Sequence, residues 1–159
     1  MFQLKKILFC LTLFFAYSNL SGQHMNNEKL EKIIYTLSDT LVGDLGQWQF
    51  VINEVTMLCI TDQNNNRMRI IAPIAETNTL TESDLKKCME ANFHSALDVK
   101  YAISDDLLWV AFVHPLSELT KSQAIDAIKQ VYSAAVTYGT TYSSTHLVFP
   151  QHDDGLNKG

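Results

Sequence analysis

Residues 81–120, TESDLKKCMEANFHSALDVKYAISDDLLWVAFVHPLSELT, predict a helix, a β-hairpin and the opening of a second helix. Thr81 with Asp84 resembles a capping box, with Asp where Glu is usual. The helix that follows carries Leu85, Cys88, Met89, Phe93, Ala96 and Leu97 at the i, i+3, i+4 spacing of one buried stripe. Phe93 is therefore expected in the core. Val99–Ile103 and Leu107–His114 form a hairpin around Ser104-Asp105-Asp106. The second of these strands is apolar on both faces, Leu107, Trp109, Ala111 and Val113 on one and Leu108, Val110 and Phe112 on the other. Such a strand is expected to be covered on both sides, by helices or by another subunit.

Upstream, Asn26 or Asn27 caps an amphipathic helix that buries Leu30, Ile33, Ile34, Leu37 and Leu41, with Gly43 and Gly46 as its stop. Three alternating strands follow. Trp48, Phe50 and Ile52 share one face of the first, and Thr56–Thr61 is the second. After the turn Asp62–Asn66, residues 67–74 return with Met68, Ile70, Ala72 and Ile74 opposite Arg67, Arg69, Ile71 and Pro73. Short turns between consecutive strands predict an antiparallel meander. Downstream of Pro115, Thr120 and Gln123 form a capping box for a last helix to about Tyr138. Its stripe is Ile125, Ile128, Val131, Tyr132, Ala135 and Val136, and Gly139 closes it. The fold class is α+β, one antiparallel sheet in the order α-β-β-β-α-β-β-α.

The N-terminus has a different character. Lys5 and Lys6 precede an apolar run from Ile7 to Tyr17, and small and polar residues follow to Gln23. That is the layout of a cleavable signal peptide over residues 1–23, and the run is shorter than the ~20 residues a bilayer-spanning helix needs. The expected product is periplasmic or secreted, with no stable membrane insertion after processing. Residues 24–142 form one domain, and 143–159 form a polar, flexible tail. Loss of Lys5 and Lys6, with no acid in the leader, moves the formal charge from -5 to -7. An acidic surface of this kind disfavours nucleic acid and anionic lipid.

Candidate chemistry is sparse. Cys59 and Cys88 remain after processing, an even number that permits a disulfide in an oxidising compartment. Two small buried thiols are the favoured alternative, because a domain of this size needs no staple. Cys88 and His94, six positions apart, fall on different sides of a helix. His24, His94, His114, His146 and His152 lack the spacing of a zinc site. Asp62-x-Asn64-x-Asn66 imitates the start of a calcium loop, but Arg67 stands where Gly is needed and Pro73 where the bidentate Glu belongs. No catalytic residue, metal ligand or cofactor is assigned. Val51, Met57, Arg69 and Ile71 are the candidate partner-binding residues, a mixed sheet face able to receive a peptide or a partner helix.

Short words along the chain carry a resemblance. They are Trp48-x-Phe50, Met68-Arg69-Ile70-Ile71-Ala72-Pro73, Ala91-Asn92-Phe93, Ala96-Leu97, Lys100-Tyr101-Ala102, Trp109, and Pro115-Leu116 ahead of Leu119-Thr120. With the element order, residues 28–138 resemble the type III secretion chaperones, in the YbjN-like or CesT (Tir chaperone) branch. The resemblance implies a homodimer that holds an extended segment of a client protein and brings no catalytic residues. Such chaperones work in the cytoplasm, whereas the leader here predicts export. The expectation is an exported, non-enzymatic, chaperone-like binding module. The alternative is an exported enzyme or metal-binding protein using Cys88 or the scattered histidines.

Overall fold

In the computed structural model, which describes residues 24–145, alternation of apolar and polar residues builds a six-stranded sheet with helices packed on one face. The first helix, α1 (Asn27–Leu37), starts at Asn26, whose side chain accepts a hydrogen bond from Lys29 N. It buries Leu30, Ile33 and Ile34. Ser38 caps it in an extended conformation, and the chain turns directly into a strand, β1 (Thr40–Asp44). Leu41 therefore belongs to the sheet and not to the helix, and the sheet has one more edge strand than the sequence pattern indicates. Gly43 and Gly46 shape the hairpin from β1 into β2 (Gln47–Ile52) rather than stopping a helix. Gly43 has φ +120°, and a Cβ there would lie 2.2 Å from Gln47 O.

The meander continues through β3 (Val55–Asp62) and β4 (Arg67–Glu76). Asn53 and Glu54, both at positive φ, make the two-residue turn between β2 and β3, the pattern of a type I′ hairpin. A single 3-10 turn (Thr77–Thr79) leads to α2 (Glu82–His94), followed by β5 (Lys100–Ser104), β6 (Leu107–His114) and α3 (Lys121–Val136). All pairings are antiparallel, in the spatial order β1-β2-β3-β4-β6-β5. Pro73, with no N–H to give to a ladder, sits at a register shift against β6, and the pairing with β3 ends at Ile71. Both capping boxes form, Thr81 with Asp84 and Thr120 with Gln123.

The core lies between one face of the sheet and α1 and α3. It contains Trp48, Phe50, Met57, Cys59, Met68, Ile70, Leu108 and Val110 from the strands and Leu30, Ile34, Ile128 and Val131 from the helices. On α3 the residues driven deepest include Ala124, Ala127 and Ala134, while Ile125 and Tyr132 are half-buried and Val136 is exposed. The helix thus presses its small side chains onto the sheet and turns some of its larger ones to the flank. Ser143 and Ser144, assigned by sequence to the tail, are buried, and Ser144 N donates to Ser95 O.

The rotation of α2 differs most from expectation. Its buried residues are Cys88 and Ala91, and Phe93 is 82 % exposed. Asn92 explains this orientation: its Oδ1 accepts from Tyr101 N at 2.7 Å and its Nδ2 donates to Tyr101 O at 3.1 Å. The amide ties α2 alongside β5 and satisfies backbone groups of the sheet edge there. With small residues inward and Asn92 clamped to the strand, Leu85, Met89 and Phe93 point away from the core.

Candidate protein-binding surface

The register places one row of side chains across the open face of the sheet: Gln49, Leu58, Ile71, Ala111 and Lys100. A second row contains Ile60, Arg69 and Val113. None of these residues is buried, and Val113 is 63 % exposed. Among the described residues, strand β6, apolar on both faces, is thus covered on one only. Leu108, Val110 and Phe112 are buried, while Trp109 and Ala111 on the other face are half-exposed to solvent. Trp109 Nε1 donates to Ser104 O at 3.0 Å, leaving the body of the ring on the open side with its polar atom satisfied.

Of the four residues singled out from the sequence, three share one face of the sheet. Val51, Arg69 and Ile71 lie on the open face, and Met57 does not. Met57 is opposite Phe50 and is fully buried. The cause is the two-residue turn at Asn53-Glu54, which pairs Ile52 with Val55 and hence Phe50 with Met57. Leu58 and Ile60 take the outward positions instead.

A second apolar surface was hidden from the sequence by being read as core. Leu85, Met89 and Phe93 repeat at every fourth residue along α2 and are 38, 67 and 82 % exposed. The Phe93 ring meets His94 edge-on at a centroid separation of 4.8 Å, a contact within the helix surface itself. The signal that separates this stripe from a core stripe is Asn92, a polar residue between apolar ones, which marks the side facing a strand edge.

The chemical candidates are dispersed. Cys59 and Cys88 are free, buried thiols. Burial pushes Cys59 up to about 12; burial, then the nearby charge of Asp84, pushes Cys88 up to about 11. Both shifts keep the free thiols protonated at neutral pH, so neither is an activated nucleophile. A brief iodoacetamide pulse at pH 7.5 should leave both unmodified in the folded protein and label both in guanidinium, as read by peptide mass spectrometry. His94 ends α2, His24 lies exposed before α1, and His114 Nδ1 is 2.7 Å from Pro115 O. His146 and His152 lie outside the described residues. Among the described residues no group of three or more His, Cys, Asp or Glu is placed to hold a metal ion. The Asp62–Asn66 segment is a hairpin turn, with the Asp62 carboxylate accepting from Asn65 N at 3.0 Å and from Asn65 Nδ2 at 2.7 Å. Those bonds, the side-chain one first, hold the Asp62 carboxyl below its usual range. No described helix is long and apolar enough to cross a membrane.

No protein-family model matches the sequence, and no curated protein matches it either. Solved structures do match in fold. A chain of the HopA1–SchA chaperone–effector complex superposes with a TM-score of 0.55 at 12 % identity, over 70 % of this chain and 90 % of that one. The Yersinia pestis type III secretion chaperone SycH, solved in complex with a stable fragment of YscM2, gives a TM-score of 0.52 at 16 % identity, over 70 % and 98 %. The chain has the α+β fold of these secretion chaperones, one antiparallel sheet of six strands flanked by helices.

Proposed function

We propose that this chain is a non-enzymatic, chaperone-like protein-binding module that acts as an exported homodimer. The observation that carries the reading is the stripe of Leu85, Met89 and Phe93 on α2, exposed among the described residues. Three large apolar side chains in one line on the outer side of a helix gain from contact with a second protein surface. A two-fold pairing of α2 with its copy satisfies this with one self-complementary patch. The open sheet face, with Val51, Leu58, Arg69 and Ile71, is then left for an extended client segment that adds side-chain contacts to a cationic handle. The fold shared with SchA and SycH supports a protein partner. Within that fold, the short sequence words favour the YbjN-like or CesT-type branch, and the leader over residues 1–23 favours export.

Light scattering after size exclusion tests the dimer. At micromolar concentration the protein should elute at twice its monomer mass and Phe93→Asp at the monomer mass, both with native circular dichroism. A monomeric wild type removes the dimer. In the same preparation, crosslinked exported clients should be lost with Arg69→Glu and retained with Phe93→Asp; the reverse pattern moves the client site to α2.

A further inference from the structure

Between α1 and α3, on the side away from the open sheet face, lies a groove of about 560 Å³. Met25, Ile33, Leu37 and Ile125 form its apolar part, and Lys29, Lys32 and Lys121 surround it; none of the residues lining it carries a carboxylate. This runs against the chain as a whole, whose formal charge is -5. The three ammonium groups are also unpaired with acids: among the described residues the one ion pair is Lys86 with Glu90, on α2. Lys29 Nζ donates to His24 O at 2.7 Å, which holds it at the mouth of the groove.

From these features we infer that the α1–α3 groove binds a single-chain anionic amphiphile, a free fatty acid carboxylate, independently of the protein-binding surfaces. The volume lies within the ~300–1,000 Å³ typical of small-ligand sites. Lys29 to Leu37 along α1 rise about 12 Å, a path long enough to lay down an acyl chain. Apolar floor takes the methylenes, and the lysines supply charge-assisted hydrogen bonds to a carboxylate at the rim. The shape of α3 creates the site: because its alanines face the sheet, Ile125 is left on the flank toward α1. A neutral alkyl ligand gains only the floor, and a cationic one meets three like charges.

The test uses dodecanoate, dodecyltrimethylammonium and dodecyl maltoside, each below its critical micelle concentration, against the purified protein. Binding is followed by calorimetry and by two-dimensional amide NMR. Dodecanoate should bind saturably, with shifts concentrated in residues 25–37 and 121–125, and at least tenfold more tightly than the other two. The double variant Lys32→Glu with Lys121→Glu should lose tenfold or more in dodecanoate affinity while keeping its melting temperature. A milder pair, Lys32→Gln with Lys121→Gln, gives an intermediate loss and serves if the first fails to fold. Equal affinity for the anionic and cationic detergents, shifts centred on Leu85, Met89 and Phe93 or on the open sheet face, or no saturable binding, each overturns the inference.

Discussion

Met57→Asp is expected to abolish folding, and Arg69→Glu, on the neighbouring strand, to leave stability within about 0.5 kcal/mol of wild type. Met57 is fully buried opposite Phe50, whereas Arg69 is exposed between Ile60 and Val113. Loss of a buried Met side chain alone costs about 2–5 kcal/mol. A carboxylate in its place adds an unpaired buried charge, a further penalty of several kcal/mol. Together these approach the whole ~5–15 kcal/mol of a domain. Far-UV circular dichroism and urea unfolding read the outcome. A Met57→Asp protein with native melting would require β3 to pair one residue out of the described register, because only that slip moves Met57 to the open face.

The same residue shows how far the sequence could be read and where it ran out. Strand β3 alternates Met57 and Cys59 against Leu58 and Ile60, apolar on both sides, so alternation alone does not say which side is inward. Strand β2 does, because Trp48 and Phe50 stand against glutamines, and the missing link was the turn between them. Recognised as a two-residue hairpin turn, Asn53-Glu54 sets Phe50 against Met57 and settles the face. Strand β1 is masked in the sequence for a related reason. Leu41 continues the helical spacing of Leu30, Ile33, Ile34 and Leu37, so periodicity runs past the real end of α1 at Ser38. The β-branched Thr40 and Val42 and the two glycines fit a hairpin better.

Helix rotation is the other limit: α2 turns away from its expected stripe, whereas α3 buries Ile128 and Val131 of its stripe and leaves only Val136 exposed. Stripe counting gives weight to large apolar residues, but a helix that approaches a sheet closely also turns small ones inward. Cys88 and Ala91 on α2, and Ala124, Ala127 and Ala134 on α3, are of this kind. Phe93 is displaced to the surface as a result, and Ile125 is left half-buried at the margin of the core. The elements that local rules do fix, the two capping boxes and the hairpin at Asp105-Asp106, appear where the sequence placed them. The fold class depended on those and was legible. The binding surfaces depended on rotation and register, which are set by tertiary contacts such as the Asn92 clamp on Tyr101.

Two phenylalanines turn this into a paired prediction. Phe50→Ala should destabilise by about 3–5 kcal/mol, since Phe50 is fully buried among Met57 and its neighbours and its removal leaves a cavity. Phe93→Ala, at 82 % exposure, should cost the monomer no more than about 0.5 kcal/mol. Urea midpoints at constant m-value measure both. Protein concentration separates the two roles further. A dimer built on α2 stabilises the folded state by mass action, so wild-type stability rises with concentration. Phe50→Ala should keep that slope with its midpoint lowered throughout. Phe93→Ala should coincide with wild type at low concentration and fall behind as concentration increases. If Phe93→Ala loses several kcal/mol at every concentration, α2 is turned the other way and its stripe belongs to the core. A flat wild-type curve, with Phe93→Ala superimposed on it, leaves the rotation of α2 intact and removes the dimer.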